Sequence, residues 1–320
     1  MKSFFALLWL CAALLSACTP DAPAPRAPAA PMPLQTGIAT ATTTCRSQNA
    51  TYDFPGRAQT DVTFCAVLLD SDGIIRDCAI DAVSMAVPFD KTGSLQLDAG
   101  TVFPSKNELG ANYGLHKASP QGREWNQQAA DYARWAVGKT PAELESADVV
   151  TSVTIDPSAF SRAIRCAAAQ SAWLGAQEGD QLQLCSAARM MPSHSAGETV
   201  RGQACCRATA AAMTLRRGVI TSCAFDGAAT AIGLTADGAI IPDNALPVTA
   251  PWDAWSLRRS SQGPPWCRQA ASLAALAAGK TPAETLAQLP APPAGADALP
   301  AAAVSLYDDF FPLFQKAAES

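Results

Sequence analysis

Apolar positions change their spacing several times along this sequence, and each change marks an element. From Phe4 to Leu15 they form one run behind Lys2. The run is shorter than the ~20 residues of a spanning helix and sits where a targeting signal would. From residue 34 the runs become strand-like, beginning with Leu34 to Thr44. Val62 to Leu69 and Ile74 to Val83 flank the turn Asp70-Ser71-Asp72-Gly73 and predict a hairpin. Phe89 to Leu95 carries one more strand candidate around a turn. The spacing then shifts to three and four. Trp125, Ala129, Tyr132 and Ala136 share one helix face, with Gly138 just past its end. Thr140-Pro141-Ala142-Glu143 has the composition of a capping box. A last helix opens near Asp156-Pro157 and aligns Phe160, Ile164 and Ala167.

The same order then returns. Gly73 to Asp81 is answered by Gly218 to Asp226, with Cys78 matched by Cys223. Gln121-Gly122 and Trp125 are answered by Gln262-Gly263 and Trp266. Gly138 to Glu143 is repeated letter for letter by Gly279 to Glu284, and the offset drifts only from 145 to 141. The expected fold is therefore α+β: two tandem repeats, each a small antiparallel sheet with helices packed on one side. The repeats are assigned to residues 34–175 and 180–320. They stand behind a signal segment, 1–17, and a Pro/Ala-rich tether, 18–33, that has almost nothing to bury.

An apolar content of 49% suffices for a core in each repeat, and a net charge of −5 without any Lys/Arg run leaves no footprint for nucleic acid. Leu15-Ser16-Ala17-Cys18 resembles a bacterial lipobox. That resemblance implies cleavage before Cys18 and a lipid anchor, palmitate among its acyl groups, carried by that cysteine. It also implies an extracytoplasmic protein held by lipid to the bacterial cell membrane or outer membrane.

With Cys11 in the signal and Cys18 lipidated, nine cysteines remain. The number is odd, and export permits disulfides. A tight hairpin centred on Ser71 and Asp72 would put Cys65 directly opposite Cys78. In the second repeat Cys223 would oppose Ala210. Two readings stand side by side: a disulfide between Cys65 and Cys78, or small buried residues on a core face. With no CxxC and only two histidines, no metal site is expected.

Asp72-Gly73-Ile74-Ile75, Cys78-Ala79-Ile80-Asp81, Ser105 to Gly110 with Tyr113-Gly114, Glu124-Trp125 and Gly138-Lys139-Thr140 together resemble a group of uncharacterised bacterial lipoproteins. More distantly, the order of elements is similar to the FMN-binding domain of exported flavoproteins. The resemblance covers essentially all of the first repeat and, more weakly, the second. The FMN-binding family holds its flavin at a Ser/Thr-Gly-Ala-Thr turn, whose last Thr receives the FMN phosphate. The corresponding stretch here is Thr151-Ser152-Val153-Thr154. The resemblance therefore implies cofactor-binding roles for Thr151 and Thr154. The sequence departs from the motif at Ser152, where Gly would let backbone approach phosphate, and at Val153. The alternative reading of Thr154 is simply the start of a helix, and no cofactor is expected, with FMN as the alternative.

The loop from Ser105 to Lys117 carries Lys106, Glu108, Tyr113 and Lys117 around Gly110 and Gly114, and the second repeat lacks most of these residues. That asymmetry marks them as a ligand or partner loop, beside the plainer reading of a solvated loop. No nucleophile elbow, zincin helix or phosphate loop is present, so no enzyme is expected. The expected function is non-enzymatic: a membrane-anchored binding or accessory protein for a small ligand or an envelope protein. The alternatives are an FMN-binding electron-transfer lipoprotein and a structural surface antigen.

Overall fold

Period-two alternation gives each long strand two buried faces. In residues 56–69, Ala58, Val62, Phe64 and Ala66 face one core while Cys65, Val67 and Leu69 face another. The computed structural model describes residues 31–144, 152–248, 266–289 and 309–320, the side chains of 242–248 excepted. Cys18, the signal segment and all but the last residues of the tether lie outside the described residues.

Strands β1 (Gln35–Thr43), β2 (Gly56–Leu69) and β3 (Ile75–Phe89) form one antiparallel sheet in that order. Strands β4 (Gln181–Met190), β5 (Gly202–Arg216), β6 (Val219–Leu234) and β7 (Ile240–Val248) form a second. The described residues also contain six α-helices: α1 (Lys106–Leu109), α2 (Trp125–Ala136), α3 (Ser158–Ala169), α4 (Trp266–Ala277), α5 (Pro282–Gln288) and α6 (Phe311–Glu319). The fold is thus mixed α+β. None of these helices is long and apolar enough to cross a membrane. Of the strand expected after the turn at Phe89–Leu95 there is one isolated bridge between those two residues, whereas after the matching turn, Leu234–Ile240, the chain forms β7.

The two sheets pack face to face. The first contributes Val62, Phe64, Val83, Met85, Val87 and Phe89 to the shared core, and the second contributes Ala204, Ala208, Ala210, Ala212 and Ala228. Bulky side chains of the first sheet share this core with the row of alanines on β5, which lets the layers interdigitate. The outer face of the first sheet is covered by α2 and α3, through Trp125, Ala129, Tyr132, Phe160 and Ile164. The outer face of the second is covered by α4 and α6, through Trp266, Leu273, Phe310 and Phe314. Trp125 meets Phe160 edge-on at 5.5 Å, and Trp266 stacks on Phe310 at 5.3 Å. The close approach of α3 to β1 depends on Gly37, where a Cβ would lie 2.1 Å from the Ala167 carbonyl oxygen.

The repeated Gly-Lys-Thr-Pro-Ala-Glu element acts as a latch. Gly138 N–H donates to Ile75 O (2.8 Å) and Ile75 N–H donates to Lys139 O (2.9 Å). Gly279 N–H donates to Ile220 O and Ile220 N–H to Lys280 O, both at 2.8 Å. Each Lys also donates back to a carbonyl of the preceding helix's last turn, Lys139 to Trp135 and Lys280 to Leu276. The end of the helix is thereby capped and tied to the start of a strand. Thr281 and Glu284 form the full capping box of α5. Thr140 and Glu143 open only a 3-10 turn, with Glu143 Oε2 accepting from Thr140 N–H at 2.6 Å.

The hairpin register differs from the expected one. Cys65 is opposite Ile80 and Cys78 is opposite Val67. One cause is Asp70, whose Oδ1 accepts from the N–H groups of Asp72 and Ile74, both at 2.9 Å. This Asx-type closure, with Gly73 at φ +76°, builds a longer loop than a two-residue turn, and a β-bulge between Leu68 and Leu69 follows it, so that together they move the partner strand by two positions. A two-residue shift leaves every side chain on its expected face. Cys65 and Cys78 therefore remain neighbours, diagonally, with Sγ atoms 3.9 Å apart as free thiols.

Candidate functional site

The loop from Ser105 to Lys117 is clamped to β3 through its first turn. Ser105 caps α1 reciprocally with Glu108: Glu108 N–H donates to Ser105 Oγ (3.2 Å) and Ser105 N–H to Glu108 Oε2 (2.7 Å). Asn107 donates from its backbone to Asp81 Oδ1 (3.1 Å) and from its side chain to Ile80 O (3.0 Å). The loop's predicted residues then divide. Lys106 Nζ lies 4.9 Å from the ring centres of both Tyr113 and Trp125, a cation–π arrangement that turns it toward the α2 core. Glu108 points the other way and pairs with Lys316 of α6. Lys117 stays exposed in a short 3-10 turn and joins neither group. Nearby, the Glu124 carboxylate gathers Leu115 N–H (3.0 Å), His116 N–H (3.3 Å) and the His116 ring.

Around Glu108 lies a cleft of about 360 Å³ between the two sheets, open to solvent. Its floor is Asp81, and its walls include Ser105, Asn107, Ser186, Cys185 and Lys316. Asp81 Oδ2 accepts from Ser186 Oγ at 2.8 Å, and Lys316 Nζ donates to Ser186 O at 2.6 Å. Burial raises the Asp81 pKa above the usual carboxylate value, against the pull of its Ser105, Ser186, Asn107 and Ala82 donors. Burial also pushes the Cys185 thiol up to about 11, so that it carries no thiolate at neutral pH. The cleft can offer carboxylates, a hydroxyl and an ammonium as hydrogen-bonding partners. Its chemistry is that of polar recognition.

The stretch that the resemblance assigns to flavin is arranged differently from a phosphate cradle. Thr151 lies outside the described residues. Thr154 N–H donates to Gln128 Oε1 at 2.7 Å, and Ile155 N–H donates to the same oxygen at 3.3 Å. Thr154 Oγ1 also reaches that oxygen (3.2 Å) and Ser119 Oγ (3.3 Å). Ser158 N–H at the start of α3 is taken by Asp156 Oδ1 at 2.9 Å. Val153 is buried in the α2–α3 core. The N–H groups of Thr154, Ile155 and Ser158 are thus already accepted by the protein's own side chains. Among the described residues no group of three or more His, Cys, Asp or Glu side chains is arranged to hold a metal ion.

The sequence points to Glu108 but not to its companions Asp81, Ser186 and Lys316. Asp81 does carry a readable signal, since an acid interrupts the apolar face of a strand at that position and again at Asp226. Ser186 and Lys316 carry none, because only the folding of β4 and α6 against the first sheet brings them there.

No protein-family model matches this chain, and no curated protein and no solved structure matches it either.

Proposed function

We propose that this chain is a membrane-anchored, extracytoplasmic lipoprotein that works as a non-enzymatic binding or accessory protein. Its ligand cleft lies between two copies of one scaffold and takes Glu108 from a loop of the first. Three reciprocal contacts support the duplication. Ala50 N–H donates to Gly238 O (2.8 Å), and Ala196 N–H donates to Gly93 O (2.9 Å). Asp81 bonds Ser186, and Asp226 bonds Thr40. Thr36 bonds Ser222, and Leu182 N–H serves Asp77. Within each pair the halves exchange roles, as the two sides of an isologous interface do.

What carries the binding reading is the meeting of Glu108 with Lys316 across a solvent-open cleft whose floor is the buried Asp81. Glu108 belongs to a loop whose Lys106 and Glu108 have no counterparts in the sequence of the second copy. The ligand class that fits is a small polar molecule with hydroxyl or amine donors, or the equivalent side chain of an envelope partner. The test is a thermal-shift screen of the full-length protein against polar metabolites, amines and flavins, repeated with Glu108→Gln and Lys316→Met. A ligand-dependent shift that both variants lose is the expected result. Shifts that persist in both would move the ligand elsewhere, and no shift with any compound would favour the surface-antigen reading. The visible spectrum of the same sample separates the flavin alternative. A colourless protein is expected, whereas a yellow protein that loses its flavin in Thr154→Ala would replace this proposal.

A further inference from the structure

A second cavity lies on the opposite seam between the sheets, where β1 meets β6 beneath α4. It holds about 410 Å³, within the range of roughly 300–1,000 Å³ typical of small-molecule sites. Ile38, Ala224 and Phe225 form its floor, while Leu174 and one face of α4, including Ala271, Ala274 and Ala275, form its walls. Among the described residues no charged side chain lines it. Its polar groups are already committed: Thr36 Oγ1 is bonded to Ser222 Oγ at 2.7 Å, and Gln170 is engaged as well. Burial drives the Cys223 thiol far above its ordinary pKa. The cavity therefore offers a guest apolar contact and almost no free hydrogen-bonding capacity. Methyl-sized walls along a helix face favour a slender flexible guest over a flat ring system.

A second observation points the same way. Leu174, a lining residue, is 41% exposed, and its neighbour in sequence Trp173 is 53% exposed, both large apolar side chains left in water. They sit in the segment that pairs with the start of the fold, where Leu34 N–H donates to Ala176 O (2.8 Å) and Thr36 N–H to Ala172 O (2.9 Å). Thr36, itself a lining residue, follows closely in sequence on the Pro/Ala tether that begins at Cys18.

We propose that this cavity binds one saturated acyl chain of a fatty acid or lipid. The proposal rests on the lipoprotein reading above and deepens it, because a tethered protein works beside a supply of such acyl groups.

The experiment uses the full-length protein with two probes, palmitate in solution and phosphatidylglycerol vesicles. Either probe is expected to raise the melting temperature, and lipid extracted from the purified protein is expected to contain acyl groups. Stabilisation by palmitate alone identifies a free fatty acid as the source, and stabilisation by vesicles alone identifies membrane lipid. Ala274→Phe, which fills the cavity, is expected to weaken binding by about tenfold or more. Ala275→Leu is the second variant, at an exposed position where added bulk leaves the core intact, and it is expected to weaken binding in the same direction. No stabilisation by either probe, or binding unchanged in both variants, would overturn the proposal. If polar ligands still shift the protein in a Lys316-dependent way, the acyl site alone falls; if they do not, the binding reading falls with it.

Discussion

The Ser186 hydroxyl on β4 donates a 2.8 Å hydrogen bond to Asp81 Oδ2 on β3, so a buried carboxylate of one sheet is held by the first strand of the other. Hydrogen bonds to a charged group contribute about 1.5–3 kcal/mol each. Ser186→Ala should therefore lower stability by about that amount in a denaturant melt. In a double-mutant cycle with Asp81→Asn, the two losses should fail to add by about 1 kcal/mol. Strict additivity would mean that the contact is not coupled in solution.

Asp226 predicts a pH dependence of stability. Burial raises its pKa to about 7 from 3.8, against hydrogen bonds from Gly227 and Thr40, and its Oδ1 has no hydrogen-bond partner. The folded state therefore holds a proton that the unfolded state releases. Stability should be greatest below about pH 4 as far as this group is concerned, and should fall as pH rises toward 7. The loss is at most on the order of 4 kcal/mol. Asp226→Asn should flatten that slope and stabilise the protein at pH 8. Melting curves between pH 4 and pH 8 check this, and an unchanged slope in the variant would refute it.

Asp309 predicts how the last helix is held. Its carboxylate, 1% exposed, accepts from Arg207 Nη1 at 3.2 and 3.0 Å and from Trp266 Nε1 at 3.1 Å. Removing one partner of a buried ion pair leaves the other uncompensated and costs about 3–5 kcal/mol. Asp309→Ala should show a loss of that order, with amide exchange in α6 accelerated more than in α2. Equal acceleration in both helices would show that the contact does not act locally.

Cys65 and Cys78 predict an insensitivity to reductant. Their Sγ atoms stand 3.9 Å apart without a bond, and Cys65 is fully buried. Cys65→Ala should lower stability by about 1 kcal/mol, the cost of lost packing, equally with and without a reducing agent. A loss confined to non-reducing conditions would reveal a disulfide instead.

Much of the local structure is legible in the sequence because it depends on neighbours. The helix over Trp125–Ala136 follows from apolar residues at three- and four-residue spacing, and the strand faces of β2 and β3 follow from alternation. Gly138 and Lys139 are readable as a helix end, but their bonds to Ile75 are not. The hairpin's faces are readable and its register is not. Asp70 could close either a two-residue turn or the longer loop it in fact closes, and the bulge between Leu68 and Leu69 returns the same side chains to the same face.

The sequence by itself determined the long hairpin strands, the helix over Trp125–Ala136, the faces they bury and the return of the same residue motifs in the same order. Those properties depend on spacing of two or three-to-four residues, which is a short-range matter. Tertiary structure alone decided that the sheets pack on each other, with Phe64 and Met85 set against the alanines of β5. It also decided that Lys316 and Ser186 complete a cleft with Glu108 and Asp81. Local spacing says which face is apolar; which partner that face meets depends on contacts between segments far apart in sequence.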